Sequence, residues 1–198
     1  MPEITSSDSA PVFKSRGNRF KSLTWDSMTP VQQRMTNTVL AGKRGAMQGP
    51  YNVLLHSPEL GDLAQKFGAH TRFNSSLPLA LNELAILLVA RFWTCQFVWW
   101  IHRRIAEEAG LPKALTQAIA SGQPLPELTS ELQVVYAFCN ELLQTRRVSD
   151  ASYAALIKHF REAGAVDLMG TMSYYTLVSM ALNVDQYPLP EGAEPELP

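Results

Sequence analysis

Cysteine is scarce. Cys95 and Cys139 are the only two in the chain. That is too few for the disulfide framework of a small secreted domain, and their spacing is not that of a zinc site. An excess of charge is missing too. Seventeen Lys and Arg stand against eighteen Asp and Glu, and the pI is about 6.4. No basic footprint for nucleic acid exists. "HRR" at 102–104 and "RR" at 146–147 are short and read as solvated helix ends. The opening "MPEITSSDSAPVFKSRG" has no apolar core, so no secretory signal is expected. Strand-period alternation and internal repeats are absent. Long apolar runs are limited to one, Leu84–Ile101, and Arg91 falls at its middle. An arginine there costs about 2.5–3.5 kcal/mol on insertion. The expectation is a cytoplasmic protein with no membrane span.

What remains is a chain of 198 residues, 46% apolar and 18% charged. Such a chain is globular and fits a single domain, burying roughly 70% of its unfolded surface. Residues 1–24 read as a polar arm, extended and lying on a partner subunit. Residues 25–185 read as one helical domain, and 186–198 as a Pro-rich tail that forms no packed element. Thr29 and Pro30 start a helix that stops at Gly42. A second runs from Pro58 to about Phe73. Lys113–Ser121 and about 129–146 follow, the latter with apolar residues at i, i+3, i+4 spacing. Ser149 caps a helix ending near Gly164, and a last one covers 167–183. The fold class is all-α, with seven or eight helices. Helices apolar nearly all round, around 84–101 and 171–182, are central or covered by another subunit.

The segment "ELAILLVARFWTCQFVWWIH", Glu83–His102, raises the functional question. Glu83, Arg91, Cys95 and His102 are its ionisable side chains. Cys95 and His102 lie two helical turns apart on one face, with Val98 and Trp99 between them. Glu83 precedes His102 by nineteen residues, roughly 28 Å along one straight helix. A continuous helix therefore keeps them apart. A break near Arg91–Thr94 lets Glu83, Cys95 and His102 converge. Thr94 is the available N-cap for such a break, which would place Cys95 in the first turn, where the helix dipole favours thiolate.

Glu83, Cys95 twelve residues on and His102 seven beyond that resemble the carboxymuconolactone decarboxylase/AhpD-like superfamily. "GPYNVLLHSPEL" at 49–60 and "HRRIAEEAGLP" at 102–112 are similar to segments of that family, and "QFVWWIH" at 96–102 resembles a subgroup motif. The likeness in layout covers about residues 30–185. It implies an AhpD-like helical bundle and a homo-oligomer: dimer, trimer or hexamer. It implies neither metal nor organic cofactor. One departure matters. AhpD-type peroxidases carry a CxxC pair on this helix, whereas here Cys95 is followed by Val98, and Cys139 belongs to another helix.

The resemblance thus implies three alternatives. The first is a lyase-type acid–base enzyme acting on a small carboxylated lactone or related cyclic acid. His102 would transfer the proton and Glu83 would orient it. The second is a thiol-dependent alkylhydroperoxidase using Cys95. The third is a helical oligomer without chemistry. Arg91, Trp99 and His56 are the candidate substrate contacts. Each has a plainer reading beside it: Arg91 as one half of a buried ion pair, Trp99 as core, His56 as a loop residue. Cys95 without its partner also reads as a small core residue, and Glu83 as a helix-dipole partner. Tyr174 and Tyr175 read as core.

Overall fold

The computed structural model describes residues 17–198. A 3-10 turn, Trp25–Ser27, precedes eight α-helices: α1 (Pro30–Ala41), α2 (Tyr51–Leu54), α3 (Pro58–Phe73), α4 (Leu79–Phe92), α5 (Gln96–Glu108), α6 (Lys113–Ser121), α7 (Ser130–Thr145) and α8 (Asp150–Asp185). No strand occurs among the described residues, and the fold is all-α. None of these helices is long and apolar enough to cross a membrane.

Two compact units share the elements. One comprises the described residues up to Ala69 together with Met180–Pro188; the other comprises His70–Ser179 and Leu189–Pro198. In the first, α1 begins with a capping box. The Thr29 hydroxyl accepts the Gln32 amide while the Gln32 side chain returns to the Thr29 N–H. Met35 and Val39 of α1 are buried, and Gly61 of α3 lets Met35 approach closely, since a Cβ there would collide with its thioether. Residues 17–20 are held by their own chain. The buried Asp185 carboxylate accepts the amides of Gly17, Arg19 and Phe20 at 3.2, 3.2 and 2.9 Å. Residues 1–16 of the expected arm lie outside the described residues.

In the second unit α4 is central. Ten consecutive residues, Leu81 to Ala90, are buried, and α5, α6 and α7 all pack on it. Each buried Leu, Ile or Val there contributes about 1.5–3 kcal/mol. Asn82, a buried polar residue of this helix, is paired on both sides. The Asn82 amide donates to the Thr71 carbonyl at 2.9 Å and its carbonyl accepts the Thr171 hydroxyl at 2.7 Å, tying α4 to α8.

Two expectations about the C-terminal third need correction. The chain does not stop near Gly164 and restart at Asp167. Helical structure resumes within one residue, across a kink at Arg161 (φ 57°, ψ −177°). Gly164 is inside the following helix, where its missing Cβ admits Phe160 and Leu77. Glycine here serves close packing and not termination. The tail, likewise, forms no helix or strand but is docked. Leu197 is buried, and Glu196 and Leu197 are hydrogen-bonded to α5.

Candidate active site

The chain does break before Cys95, and it does so by backbone chemistry that no glycine announces. α4 ends at Trp93, and Thr94 turns left-handed (φ 47°). The Cys95 N–H reaches back to the Ala90 carbonyl at 2.9 Å and the Thr94 N–H to the Arg91 carbonyl at 3.1 Å. This is the Schellman closure of a helix, with threonine in the position usually given to glycine. The cap of α5 is therefore Cys95, one residue later than expected, and its backbone is extended.

The reversal lays α5 against α4 and brings Glu83 to His102. Glu83 Oε2 lies 2.7 Å from His102 Nδ1. Both residues are buried, at 1% and 5% exposure. The second carboxylate oxygen of Glu83, also buried, has no hydrogen-bond partner. With Glu83 ionised, Nδ1 carries the proton and donates, which leaves Nε2 as the nitrogen free to accept one. From α8, Tyr175 closes edge-on against the imidazole, 4.8 Å between centroids, and Tyr174 packs edge-on against Tyr175.

Cys95 is buried two turns before His102. Burial pushes its thiol pKa up; the amides of Val98 and Phe97 and the Ser179 hydroxyl pull the other way without overcoming it. The sulfur makes no cap hydrogen bond, and the Ser179 hydroxyl faces it without closing a hydrogen bond to any group. Cys139 of α7 is fully buried, and burial alone raises its thiol further. Both cysteines are free. Ser179 and Tyr175 stand one turn apart on α8, facing Cys95 and His102 respectively. The sequence offered no signal for Ser179, and Tyr175 read only as core; with Thr171, Ser173, Tyr174 and Thr176 in the same stretch, spacing does not single the two out.

The expected substrate contacts are disposed differently. Among the described residues Arg91 makes no ion pair with a buried carboxylate: its Nε donates to the Ala120 carbonyl at 3.0 Å, binding α4 to the end of α6. Trp99 is fully buried rather than open to a pocket, and its indole N–H donates to Glu196 of the tail at 3.0 Å. His56 belongs to the other unit, where its Nε2 pairs with the Lys21 carbonyl at 3.1 Å and its ring meets Phe20. An open cleft of about 750 Å³ lies between the α6–α7 loop, α7 and the start of α8, lined by residues such as Gln133, Tyr136 and Asn140. None of the candidate site residues lines it.

No family profile and no curated protein matches the chain. Solved structures do. An AhpD-core, uncharacterized peroxidase-related protein of Ralstonia eutropha superposes with a TM-score of 0.67 at 15% identity, covering 89% of this chain and 93% of its own. A protein of unknown function from Agrobacterium tumefaciens, whose description links it to the antioxidant defence protein AhpD, gives 0.60 at 13% identity over 72% of this chain and 99% of its own. The fold is AhpD-like.

Proposed function

We propose that this chain is an acid–base enzyme acting on a small carboxylated lactone or related cyclic acid, with His102 as the proton-transfer group. The observation that carries the reading is the 2.7 Å contact between Glu83 and His102 in a buried setting. A carboxylate on Nδ1 fixes the tautomer and directs Nε2 at the substrate. In a decarboxylation, carbon dioxide leaves with the carbon–carbon bond broken and its electron pair remaining on the substrate. His102, protonated at Nε2 from solvent to the imidazolium, then gives that proton to the carbon and returns to the neutral imidazole. Glu83 balances the positive charge of the imidazolium, and its unpartnered oxygen is free to meet a donor on the substrate. The test is turnover of carboxylated lactones by His102→Ala. A fall of at least about 100-fold in kcat, the contribution usual for such a group, with unchanged helical circular dichroism supports the reading. Unchanged turnover refutes it.

A thiol reading is favoured by one observation: both structural neighbours are described in terms of peroxidase or antioxidant roles. Cys95 thiolate would attack the peroxide, breaking its O–O bond, to give a sulfenic acid and an alcohol; two equivalents of an external thiol would return the sulfur to its reduced state. Burial opposes it by holding the thiol protonated. Peroxide turnover by Cys95→Ser decides: if turnover survives the substitution, the thiol is not the reacting group.

A further inference from the structure

The tail residues Glu196 and Leu197 are bound to α5 as a peptide ligand is bound. Three side chains on one stripe of the helix, Gln96, Trp99 and Arg103, take them up. Gln96 reads the backbone from both ends of its amide. Its Oε1 accepts the N–H groups of Glu196 and Leu197, each at 3.1 Å, and its Nε2 donates to the Leu197 carbonyl at 2.7 Å. The Glu196 carboxylate is read twice. The Trp99 indole N–H donates to Oε2 at 3.0 Å, and the Arg103 guanidinium spans it, with Nη2 donating to Oε1 at 3.0 Å and Nε 2.7 Å from Oε2. Leu197 is buried to 5% exposure.

Of the receiving groups, Arg103 is also positioned by contacts outside the tail. It is held by Glu107 at 3.1 Å, and Glu107 in turn accepts the Thr116 hydroxyl at 2.8 Å. A backbone clamp, a carboxylate fork and an apolar seat are the elements of sequence-selective peptide recognition. The tail's prolines, at 188, 190, 195 and 198, reduce the entropy lost on docking.

We propose that Gln96, Trp99 and Arg103 form a recognition site for a glutamate–apolar peptide segment, and that Glu196–Leu197 is its tethered, displaceable occupant. The tail is then a latch. It rests on the indole that also borders the Cys95–His102 face of α5, so release changes the surroundings of Trp99 beside that site. The inference is independent of which chemistry Glu83 and His102 perform.

The experiment uses the 198-residue chain and a dye-labelled peptide GAEPELP, the sequence of residues 192–198, followed by fluorescence anisotropy. A short tether presents the native tail at an effective concentration on the order of millimolar. Wild type therefore resists the peptide, whereas Glu196→Gln, with a weakened tail, binds it at least tenfold more tightly. A peptide with glutamine in place of its second glutamate loses at least tenfold on the same protein. Adding Arg103→Gln to Glu196→Gln abolishes binding, while circular dichroism reports the fold. Equal affinity of wild type and Glu196→Gln, indifference to the peptide's glutamate, or no binding to Glu196→Gln each overturns the proposal.

Discussion

Glu83 Oε2 and His102 Nδ1 meet at 2.7 Å although nineteen residues separate them, and the left-handed turn at Thr94 makes the meeting possible. A β-branched residue at φ 47° is a steric outlier. Such strain persists only where surrounding structure enforces it, and it collects at functional sites. Thr94→Gly should relieve it. Glycine also raises the entropy of the unfolded chain, so the expected net gain is about 1 kcal/mol. Urea denaturation of the two proteins measures it. A loss of stability would mean that the Thr94 side chain makes interactions worth more than the strain.

That turn also marks where the sequence ceased to be readable. Two consecutive helices end in the same closure. At the end of α5, Gly110 is left-handed (φ 102°), with Leu111 N–H on the Ala106 carbonyl and Gly110 N–H on the Glu107 carbonyl. "AGLP" announces that stop by composition. At the end of α4 the same hydrogen bonds form around a threonine, and composition is silent. Spacing alone could then state the alternatives, one helix or two, without choosing. Helix starts were legible because their caps are local: Thr29 and Thr129 each accept the amide three residues on. The docking of the tail and the capture of Arg91 by Ala120 were not, since each depends on a partner distant in sequence. His102 and Glu83 were legible as a pair only through a family resemblance. Ser179 and Tyr175 enter only with the tertiary structure.

The dyad should behave as a coupled unit in stability as well as in chemistry. His102→Leu leaves a buried carboxylate with neither oxygen bonded, a loss expected at about 3–5 kcal/mol. Glu83→Leu leaves a buried imidazole N–H without its acceptor, at about 1–3 kcal/mol. The double variant removes both orphaned groups, so it should be more stable than the sum of the single losses predicts by at least about 1 kcal/mol. Chemical denaturation of the four proteins gives the coupling directly. Strict additivity would contradict an energetically meaningful contact.

Cys95 should be a slow thiol. Burial raises its pKa against the opposing pull of the Val98 and Phe97 amides and Ser179. Iodoacetamide should modify it in the native protein at least about tenfold more slowly than in the denatured one at pH 8, since the thiolate is the nucleophile. The sign for stability follows. Folding favours the protonated thiol, so the unfolded state releases its proton first as pH rises, and stability falls once pH passes the ordinary thiol range. Cys95→Ala should flatten that alkaline decline, although Cys139, raised for the same reason, retains its own share. Fast labelling at neutral pH would instead favour the peroxidase reading.

Asp167 provides the opposite sign at the acid end. Burial alone would raise its pKa, but the hydroxyl and amide of Ser76 and the His70 ring outweigh it, and the carboxyl lies below its usual range. The contacts are short: 2.6 Å from the Ser76 hydroxyl, 2.7 Å from its amide and 3.1 Å from His70 Nε2. They pin the loop before α4 to α8. A lowered folded-state value means that the unfolded chain takes up the proton first as pH falls. The stabilisation is therefore complete above the ordinary carboxylate range and is lost as pH drops through that range toward the folded value. Asp167→Ala should cost about 2 kcal/mol at pH 7 and progressively less as pH falls through the ordinary carboxylate range. Stability curves of the variant and wild type should accordingly converge on acidification. A pH-independent difference between them would assign the cost of the substitution to lost packing and not to the carboxylate's hydrogen bonds.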